Sequence, residues 1–384
     1  MSAGWGERKR LMSAGSLNRV EIDLAALRHN HQLIRARLAP GVAVMAMVKA
    51  EAYGHGLERT ALTLAGCGVG AFGVAEVEEG VRLRQAGVAG EIVILLGVRP
   101  DSFAEVVAHR LTPVVFDLTA IEQLSALAVA SAIRLDVHLK VDTGMGRFGI
   151  MPDEVERFVT VLASLPGLRL AGLLSHLPMA DNDGHVTDEQ CQRFQALLGR
   201  LGVSPGSGRL RHIANSAALF RGSATHLDMV RPGITLYGCS PVSGDDSLPL
   251  RPVMRFLTGV VQVKEVPAGY GVSYGHTFVT DRPSRLAILP VGYDDGYLRR
   301  LSNRASVLIR GQRVPLRGNV CMNACVADVT DLPEVAVGDE VVLMGSQGDE
   351  VITADQVARW LETINYEVLC LFGNRNRRVY VDEF

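Results

Sequence analysis

Eight short and almost wholly apolar segments recur over the first two thirds of the chain, and they constrain its fold more than any other feature. They cover residues 42–48, 69–75, 92–96, 111–116, 133–141, 168–174, 210–214 and 233–237. Amphipathic helical patterns lie between most of them. Apolar runs joined by helical crossovers are typical of parallel strands buried on both faces. Eight such repeats over roughly 200 residues predict an α/β protein with a (β/α)8 TIM-type barrel.

The pattern changes after residue 240. Residues 240–252 read S-P-V-S-G-D-D-S-L-P-L-R-P, a composition typical of a linker. Strand-like runs follow, with a hairpin turn at Gly311-Gln312 and one helix preceded by a capping box at Thr353 and Gln356. We therefore predict a loose tail over 1–15, the barrel over 16–243 and a mostly-β C-terminal domain over 244–384. Because M-S-A-G occurs at Met1 and again at Met12, we expect Met12 to be an alternative start, and the choice between the two stays open.

Composition excludes several classes of function. The 39 basic and 41 acidic residues give a net charge of −2, which disfavours nucleic acid as a partner. No apolar run approaches the ~18 residues of a membrane span, and the six cysteines form no C-x-x-C pair. These observations favour a cytoplasmic protein. We expect no metal site, since His29 and His31 are two apart on a helix and face different sides.

Two G-x-G-x-x-G matches argue only weakly for a nicotinamide cofactor. The match at 68–73 precedes a strand, whereas the dinucleotide motif must follow one. The match at 144–149 follows a strand, but the next strand offers no acidic residue for a ribose. No G-x-S-x-G elbow for serine hydrolysis is present.

Polar residues instead gather at the predicted carboxyl ends of the barrel strands, where such barrels carry their chemistry. They include Lys49, Lys140, Asp142, Arg147, His176, Asn215, Ser216, Arg231 and Gly233. An amine, a serine and backbone N–H groups on one rim suit a phosphorylated carbonyl cofactor. The rim therefore predicts pyridoxal 5′-phosphate, covalently attached to Lys49.

Ten residues around that lysine, M-V-K-A-E-A-Y-G-H-G at 47–56, closely resemble the cofactor-lysine signature of alanine racemases. The resemblance continues through both domains in the family's order. The further motifs are H-L-K-V-D-T-G-M-G-R (138–147), S-H-L (175–177), A-N-S-A-A (214–218), M-V-R-P-G-I (229–234), G-V-S-Y-G (271–275), V-G-Y-D-D-G-Y (291–297), V-C-M (320–322) and T-I-N-Y-E (363–367).

The resemblance implies a role for each matching residue. Lys49 binds the cofactor and is one catalytic base, and Tyr274 is the other. The positions that match the family's phosphate site are Tyr53, Ser216, Gly233, Ile234 and Tyr366. Arg231 faces the pyridine nitrogen, and His176 packs between Arg231 and the catalytic tyrosine.

The resemblance also implies how substrate is held and how the chain assembles. Arg147 and the Met322 backbone hold the substrate carboxylate, while Lys140 is a candidate for carbamylation, which would turn its repulsion of Arg147 into attraction. A homodimer is expected, with Tyr274 completing the partner's site. The implied activity is interconversion of L- and D-alanine, which supplies D-alanine for peptidoglycan.

Four residues depart from the common family pattern and leave substrate range open. Glu51 replaces the usual asparagine, Asn323 stands where many relatives have aspartate, and Pro178-Met179 follows S-H-L. A broader racemase acting on serine, lysine or arginine is one alternative. An amino-acid decarboxylase is disfavoured because such enzymes of this fold generally place glutamate where Arg231 stands. A non-catalytic cofactor carrier is disfavoured because such proteins lack the second domain.

Overall fold

A computed structural model describes residues 16–242 and 247–382, which form two compact units. One unit comprises residues 23–253, and the other comprises the described residues up to Ile22 together with 254–380. Strand β1 (Arg19–Asp23) explains this division, because it pairs antiparallel with a strand that begins at Met254. Residues 16–22, which we predicted to be part of the barrel, thus join the second unit. The predicted tail over 1–15 and the predicted boundary at 243/244 lie outside the described residues.

Eight strands form the sheet of the first unit: β2 (Ala43–Met47), β3 (Ala71–Val74), β4 (Glu91–Ile94), β5 (Thr112–Val115), β6 (Leu135–Lys140), β7 (Leu168–Leu174), β8 (Leu210–His212) and β9 (Met229–Val230). The strand order is β8-β7-β6-β5-β4-β3-β2-β9, with parallel pairing throughout. The Asp228 N–H donates to the Arg211 carbonyl at 3.0 Å, and the Arg231 N–H donates to the Ala214 carbonyl at 3.0 Å. These bonds link the two outer strands, so the predicted barrel is confirmed.

The helices of this unit are α1 (Leu24–Ala36), α2 (Lys49–Tyr53), α3 (Leu57–Gly66), α4 (Val77–Gln85), α5 (Phe103–Ala108), α6 (Leu118–Ala130), α7 (Val155–Ser164), α8 (Gly184–Arg200) and α9 (Ser216–Arg221). Asp23 caps α1 as its sequence predicts, since its Oδ1 accepts the Ala26 N–H at 2.8 Å. Among the described residues, no helix combines the length and apolarity needed to cross a membrane.

The predicted position of the eighth barrel strand, 233–237, was wrong. The strand is β9, and Ile234–Tyr237 is a 3₁₀ helix. Both segments are buried and apolar, so hydrophobicity does not distinguish them. Pro232 does, because proline lacks the N–H that a central strand must donate. As a result Arg231 follows the last strand rather than opening it.

The second unit is mostly β, as predicted. Its strands are β10 (Met254–Gly259), β11 (Gln262–Val266), β12 (Gly271–Val272), β13 (Phe278–Val279), β14 (Ser284–Leu289), β15 (Ser306–Ile309), β16 (Gln312–Pro315), β17 (Cys325–Asp328), β18 (Glu340–Gln347), β19 (Glu350–Ile352) and β20 (Arg377–Val381). One sheet has the order β16-β15-β18-β10-β1-β20 with β19 beside β18, a second has the order β11-β14-β17, and β12 pairs with β13.

Two details of this unit differ from prediction. Where one helix was expected there are two, α10 (Ala354–Leu361) and α11 (Asn365–Arg375). The hairpin between β15 and β16 turns at Arg310-Gly311, one residue earlier than predicted, and both residues have positive φ. The capping interaction at α10 is present, because Thr353 Oγ1 accepts the Gln356 N–H at 3.1 Å.

Candidate active site

Lys49 begins α2, a single turn whose backbone is left-handed. The φ values of Ala50, Glu51, Ala52 and Tyr53 lie between 53° and 56°. Four consecutive non-glycine residues in this region are unusual, because each Cβ crowds the neighbouring carbonyl at a cost of about 1–2 kcal/mol. Burial of Ala52 and Tyr53 holds the turn in place. The turn fixes the path of the chain between Lys49 and Tyr53.

The Tyr53 ring is held by aromatic packing. It stacks on Tyr237 with the ring centroids 4.9 Å apart, and the His55 ring also stacks on Tyr237, with the centroids 4.4 Å apart. The Tyr237 hydroxyl donates to the Met47 carbonyl at 2.8 Å and so ties this stack to β2. Tyr53 therefore has little freedom to move.

Tyr53, Ser216 and Gly233 meet at one point. The Gly233 N–H donates to Ser216 Oγ at 2.9 Å, and Thr235 Oγ1 lies 3.2 Å from the same oxygen. A Cβ at Gly233 would stand 2.4 Å from the Tyr53 hydroxyl oxygen, so only glycine permits this approach. Hydroxyl groups and backbone N–H groups that converge in this way, with Ile234 following directly, fit a phosphate group.

Arg231 is buried inside the barrel, and two of its guanidinium nitrogens contact polar atoms of the barrel. One guanidinium nitrogen lies 2.9 Å from His212 Nδ1, and another donates to the carbonyls of Ser175 at 2.6 Å and Ile213 at 3.1 Å. Burial lowers the pKa of Arg231 to about 10, so it remains a cation at neutral pH. His176 Nδ1 lies 3.5 Å from the same guanidinium. Burial, and then Arg231, hold the pKa of His176 well below its usual range, which leaves the imidazole neutral.

Lys140 and Arg147 share one aromatic neighbour. The Lys140 amine lies 5.3 Å and the Arg147 guanidinium 5.9 Å from the centroid of Phe148. Burial lowers the pKa of the Lys140 amine to about 8, with further lowering by Arg231, Arg147 and Lys49. The cationic residues predicted from the strand ends therefore interact at one mouth of the barrel.

The loop that carries Arg147 is organised by Asp142. Its carboxylate accepts the N–H groups of Gly144 at 2.9 Å, Met145 at 2.7 Å and Arg147 at 3.0 Å. Burial raises the pKa of Asp142, but these backbone hydrogen bonds outweigh it and leave the pKa below its usual range. The glycine-rich match at 144–149 is thus an acid-centred loop.

Glu51 is balanced by a cation that sequence reasoning did not pair with it. Its carboxylate forms an ion pair with Arg82, which also pairs with Glu58 at 2.7 Å. The Ala50 N–H donates to Glu79 at 2.6 Å. The departure from asparagine therefore adds an ion-pair partner for α4 and not an isolated charge.

In the second unit the structure joins the segments of Tyr274 and Met322. Asn319 Nδ2 donates to the Tyr274 carbonyl at 2.6 Å, and the Ser273 hydroxyl donates to the Asn319 carbonyl at 2.6 Å. The same hydroxyl lies 3.3 Å from the Cys321 sulfur, next to Met322. The side chains of Tyr274 and Met322 are 71% and 56% exposed in this chain.

The remaining predicted residues are also located. Tyr366 lies in the first turn of α11, and Asn323 Nδ2 donates to Asp294 at 3.4 Å. The carbonyl of Met179, close to Pro178, accepts the Asp183 N–H at 2.8 Å. Sequence reasoning missed His212 and Tyr237, which hold Arg231 and Tyr53. A histidine inside a short apolar strand was the available signal for His212.

Comparisons with known proteins identify the family. The model described as "Alanine racemase, N-terminal domain" matches residues 22–241, and "Alanine racemase, C-terminal domain" matches 253–380. The chain is 46% identical to alanine racemase of Syntrophobacter fumaroxidans, with 93% of this chain and 96% of that protein covered. It is 44% identical to alanine racemase of Desulfovibrio desulfuricans, with 94% and 97% covered.

Solved structures agree. Alanine racemase from D-cycloserine producing Streptomyces lavendulae superposes with a TM-score of 0.90 at 35% identity, covering 96% of this chain and 98% of that one. The Bartonella henselae alanine racemase with covalently bound pyridoxal phosphate gives 0.86 at 30% identity, covering 96% and 100%. The Bacillus anthracis enzyme with bound L-Ala-P gives 0.88 at 33% identity, covering 96% of each chain. With both domains matched in order and over nearly its whole length, this chain belongs to the alanine racemase family.

Proposed function

We propose that this chain interconverts L- and D-alanine, with pyridoxal phosphate attached to Lys49 and with Tyr274 as the second base. The observation that carries the proposal is the barrel mouth itself. There Lys49 lies one turn from Tyr53, whose hydroxyl meets Gly233 and Ser216, and the buried cation Arg231 follows the last strand. This donor set fits the phosphate and ring nitrogen of that cofactor, which when bound supplies an electron sink for the Cα–H bond of the amino acid.

The residues proposed to bind the phosphate are Tyr53, Ser216, Gly233, Ile234 and Tyr366. Ser216 Oγ accepts the Gly233 N–H, so its own hydroxyl proton is available to donate. The Tyr53 hydroxyl is directed to the same place by its stacking on Tyr237. Hydroxyl groups and a backbone N–H can donate hydrogen bonds to a phosphate, which makes these donors suited to an anion.

Racemisation requires a proton to leave one face of Cα and another to arrive at the opposite face. The Lys49 amine and the Tyr274 phenol perform these two transfers as a pair of bases. Lys140 interacts electrostatically with Lys49, Arg147 and Arg231, so the proposed lysine base lies among cations.

Arg231 favours racemisation over decarboxylation and transamination. A guanidinium can only donate hydrogen bonds and stays protonated, so a ring nitrogen that faces it remains an unprotonated acceptor. A bound cofactor ring in that state would withdraw less electron density from the substrate than a protonated ring would. Rapid return of the proton is then favoured over side reactions.

Arg147 and the Met322 backbone are proposed to bind the substrate carboxylate, and Lys140 is proposed to carry a carbamate. With a pKa of about 8, roughly a tenth of Lys140 is the neutral amine at pH 7. The neutral amine can attack carbon dioxide, lose its proton and become an anion. That anion would pair with Arg147, which shares the Phe148 ring with it.

A homodimer is proposed because Tyr274 and Met322, on joined segments, expose most of their side chains in the single chain. Each Tyr274 would complete the partner's site.

We also propose a cytoplasmic location and a role in supplying D-alanine for peptidoglycan. The sequence has six cysteines in 384 residues and no C-x-x-C pair, which is not the pattern of a small secreted domain stabilised by disulfides.

The test measures D-alanine formed from L-alanine by purified protein, alongside serine, lysine and arginine. We expect the highest kcat/KM for alanine. Tyr274→Phe should reduce kcat by about 10²–10⁴-fold while retaining the yellow cofactor. Tyr270→Phe, on a neighbouring surface position, should retain activity. Colour without turnover in the unaltered protein would refute racemisation, and carbon dioxide release would indicate decarboxylation.

Mixing two inactive variants tests the dimer. In a mixed dimer of Lys49→Ala and Tyr274→Phe protomers, a site shared between protomers leaves one of the two sites intact. Random reassociation should therefore restore about a quarter of the activity. If both bases come from one chain, no intact site forms, and the absence of recovery would contradict the shared arrangement.

A further inference from the structure

A line of polar side chains runs through the interior of the barrel. From Arg231, at the carboxyl ends of the strands, the first contact is with His212 Nδ1 at 2.9 Å. His212 Nε2 lies 3.0 Å from His138 Nδ1, and His138 Nε2 lies 3.4 Å from a Glu91 carboxylate oxygen. Both histidines are completely buried. Glu91 is the first residue of β4, so the line ends at the opposite mouth of the barrel.

Only one arrangement of protons satisfies these contacts. Arginine can only donate, so His212 Nδ1 must accept and the single proton of that ring lies on Nε2. Burial, followed by the charge on Arg231, holds the pKa of His212 well below its usual range, so the ring is neutral. His212 Nε2 then donates to His138 Nδ1, which places the His138 proton on Nε2, the ring nitrogen that lies 3.4 Å from a Glu91 carboxylate oxygen. Every donor in the line points away from Arg231.

The surroundings maintain this line. A Cβ at Gly172 would lie 2.9 Å from the His138 ring, so glycine at this position in β7 leaves room for the imidazole. Glu91 lines a cavity of about 480 Å³ at the amino-terminal mouth, together with Arg84, Arg110 and the ion pair between Asp136 and Arg169. Burial raises the pKa of the Glu91 carboxyl, but the nearby His138 ring and the Thr112 hydroxyl together outweigh it, so the net pKa lies below its usual range. Glu91 is therefore an anion at neutral pH.

We infer that Glu91, His138 and His212 are positioning residues for Arg231. Arg231 and the Glu91 anion favour the same tautomers from the two ends of the line: Glu91 favours the His138 proton on Nε2, which leaves His138 Nδ1 to accept from His212 and His212 Nδ1 to accept from the guanidinium. The other terminal nitrogen of the Arg231 guanidinium donates to the Ser175 and Ile213 carbonyls, and these bonds complete the orientation of the side chain. A carboxylate at the far mouth thereby determines how a cation is presented at the mouth where we propose catalysis. The inference rests on the proposed function only in that Arg231 faces the cofactor ring.

The test compares Glu91→Leu, which removes the acceptor, with Glu91→Gln, which keeps an acceptor but removes the charge. Asp136→Asn is the matched control, because Asp136 lines the same cavity but contacts neither histidine. The primary measurement is ¹⁵N NMR of the histidine rings in cofactor-loaded protein with labelled histidine, since ring nitrogen shifts report the tautomer. The second is kcat and KM for alanine, together with the rate of transamination.

In the unaltered protein and in Asp136→Asn, we expect each ring to carry its proton on Nε2. Glu91→Leu should mix the tautomers of both rings, lower kcat about tenfold and change KM by less than about twofold, since a buried donor is left unpaired. Transamination per turnover should rise by a similar factor. Glu91→Gln should retain the tautomers and lose about threefold or less in kcat.

Unchanged ring signals in Glu91→Leu would overturn the inference, as would an equal loss in Asp136→Asn. If Glu91→Leu does not fold, Gly172→Ala gives the same decision, because it displaces the His138 ring without altering a polar group. If both rings keep their tautomers in Gly172→Ala, that result would also count against a positioning role for Glu91, His138 and His212. If the unaltered protein does not racemise alanine, the proposed function fails. The ¹⁵N signals of the histidine rings would still decide whether Glu91 sets the tautomers of His138 and His212.

Discussion

Replacing Gly233 by alanine should weaken cofactor binding through a single contact. The backbone φ of Gly233 is −119°, outside the left-handed region that favours glycine, so the effect of alanine is worked out from the contacts of its Cβ. The new Cβ would lie 2.4 Å from the Tyr53 hydroxyl oxygen and 2.9 Å from its Cζ. Ordinary carbon contacts lie near 3.5 Å, so the ring or the backbone must move by about 1 Å.

The displaced group has few places to go. Tyr53 is buried and stacks on Tyr237, whose hydroxyl is tied to the Met47 carbonyl. Overpacking of this kind costs about 1–3 kcal/mol. A phenol moved by 1 Å also loses a hydrogen bond to a charged phosphate, worth about 1.5–3 kcal/mol. At 1.4 kcal/mol per factor of ten, we expect the affinity for pyridoxal phosphate to fall roughly 10- to 100-fold.

The assay is titration of the cofactor-free protein with pyridoxal phosphate, followed by absorbance. Gly199→Ala is the control, since a Cβ at that position in α8 meets nothing within 4 Å. In a Tyr53→Phe background the same Gly233→Ala change should cost less, because the closest atom is gone. Wild-type affinity in Gly233→Ala, or an equal loss with and without the Tyr53 hydroxyl, would refute this reasoning.

Three further predictions concern charge. The pKa of Lys140 is lowered to about 8 in the folded protein, so between about pH 8 and 10.4 the unfolded chain binds more protons than the folded one. The free energy of unfolding should therefore rise with pH in that window. Lys140→Met should flatten this slope when unfolding by urea is measured at several pH values. Asp228→Asn should lower the free energy of unfolding by about 2 kcal/mol, because its two oxygens bind the largely buried Arg211 at 2.7 and 2.8 Å. Glu51→Asn should change the free energy of unfolding by less than about 1 kcal/mol, because the variant loses the ion pair with Arg82 but asparagine tolerates the positive φ at this position. The substrate preference should stay unchanged. A switch toward serine in a kinetic assay would contradict this prediction.

The sequence was sufficient to predict the barrel because its signal is repeated. For seven of the eight barrel strands, the first and last residues lie within two positions of the ends of the predicted apolar run. Asp23 caps α1 as expected. The rim residues could be grouped for a similar reason, since the carboxyl ends of parallel strands meet at one mouth. The proximity of Lys140 and Arg147 to one Phe148 ring follows from that rule.

What the sequence could not predict depended on contacts between distant residues. A buried 3₁₀ helix at Ile234–Tyr237 has the same apolar composition as a buried strand. The pairing of β1 with β10 joins residues more than two hundred positions apart, and no local pattern reports it. The contact of His212 with Arg231 likewise depends on which way a side chain points inside the barrel, which composition does not encode.

The left-handed turn at Lys49–Tyr53 has one consequence for chemical synthesis. Four of its five residues adopt a backbone that is relaxed for amino acids of the opposite chirality. A D-alanine placed at position 50 or 52 by peptide ligation should therefore be accommodated without the distortion it would cause in α8. A protein of this family would tolerate within its own backbone the mirror-image residue that it makes.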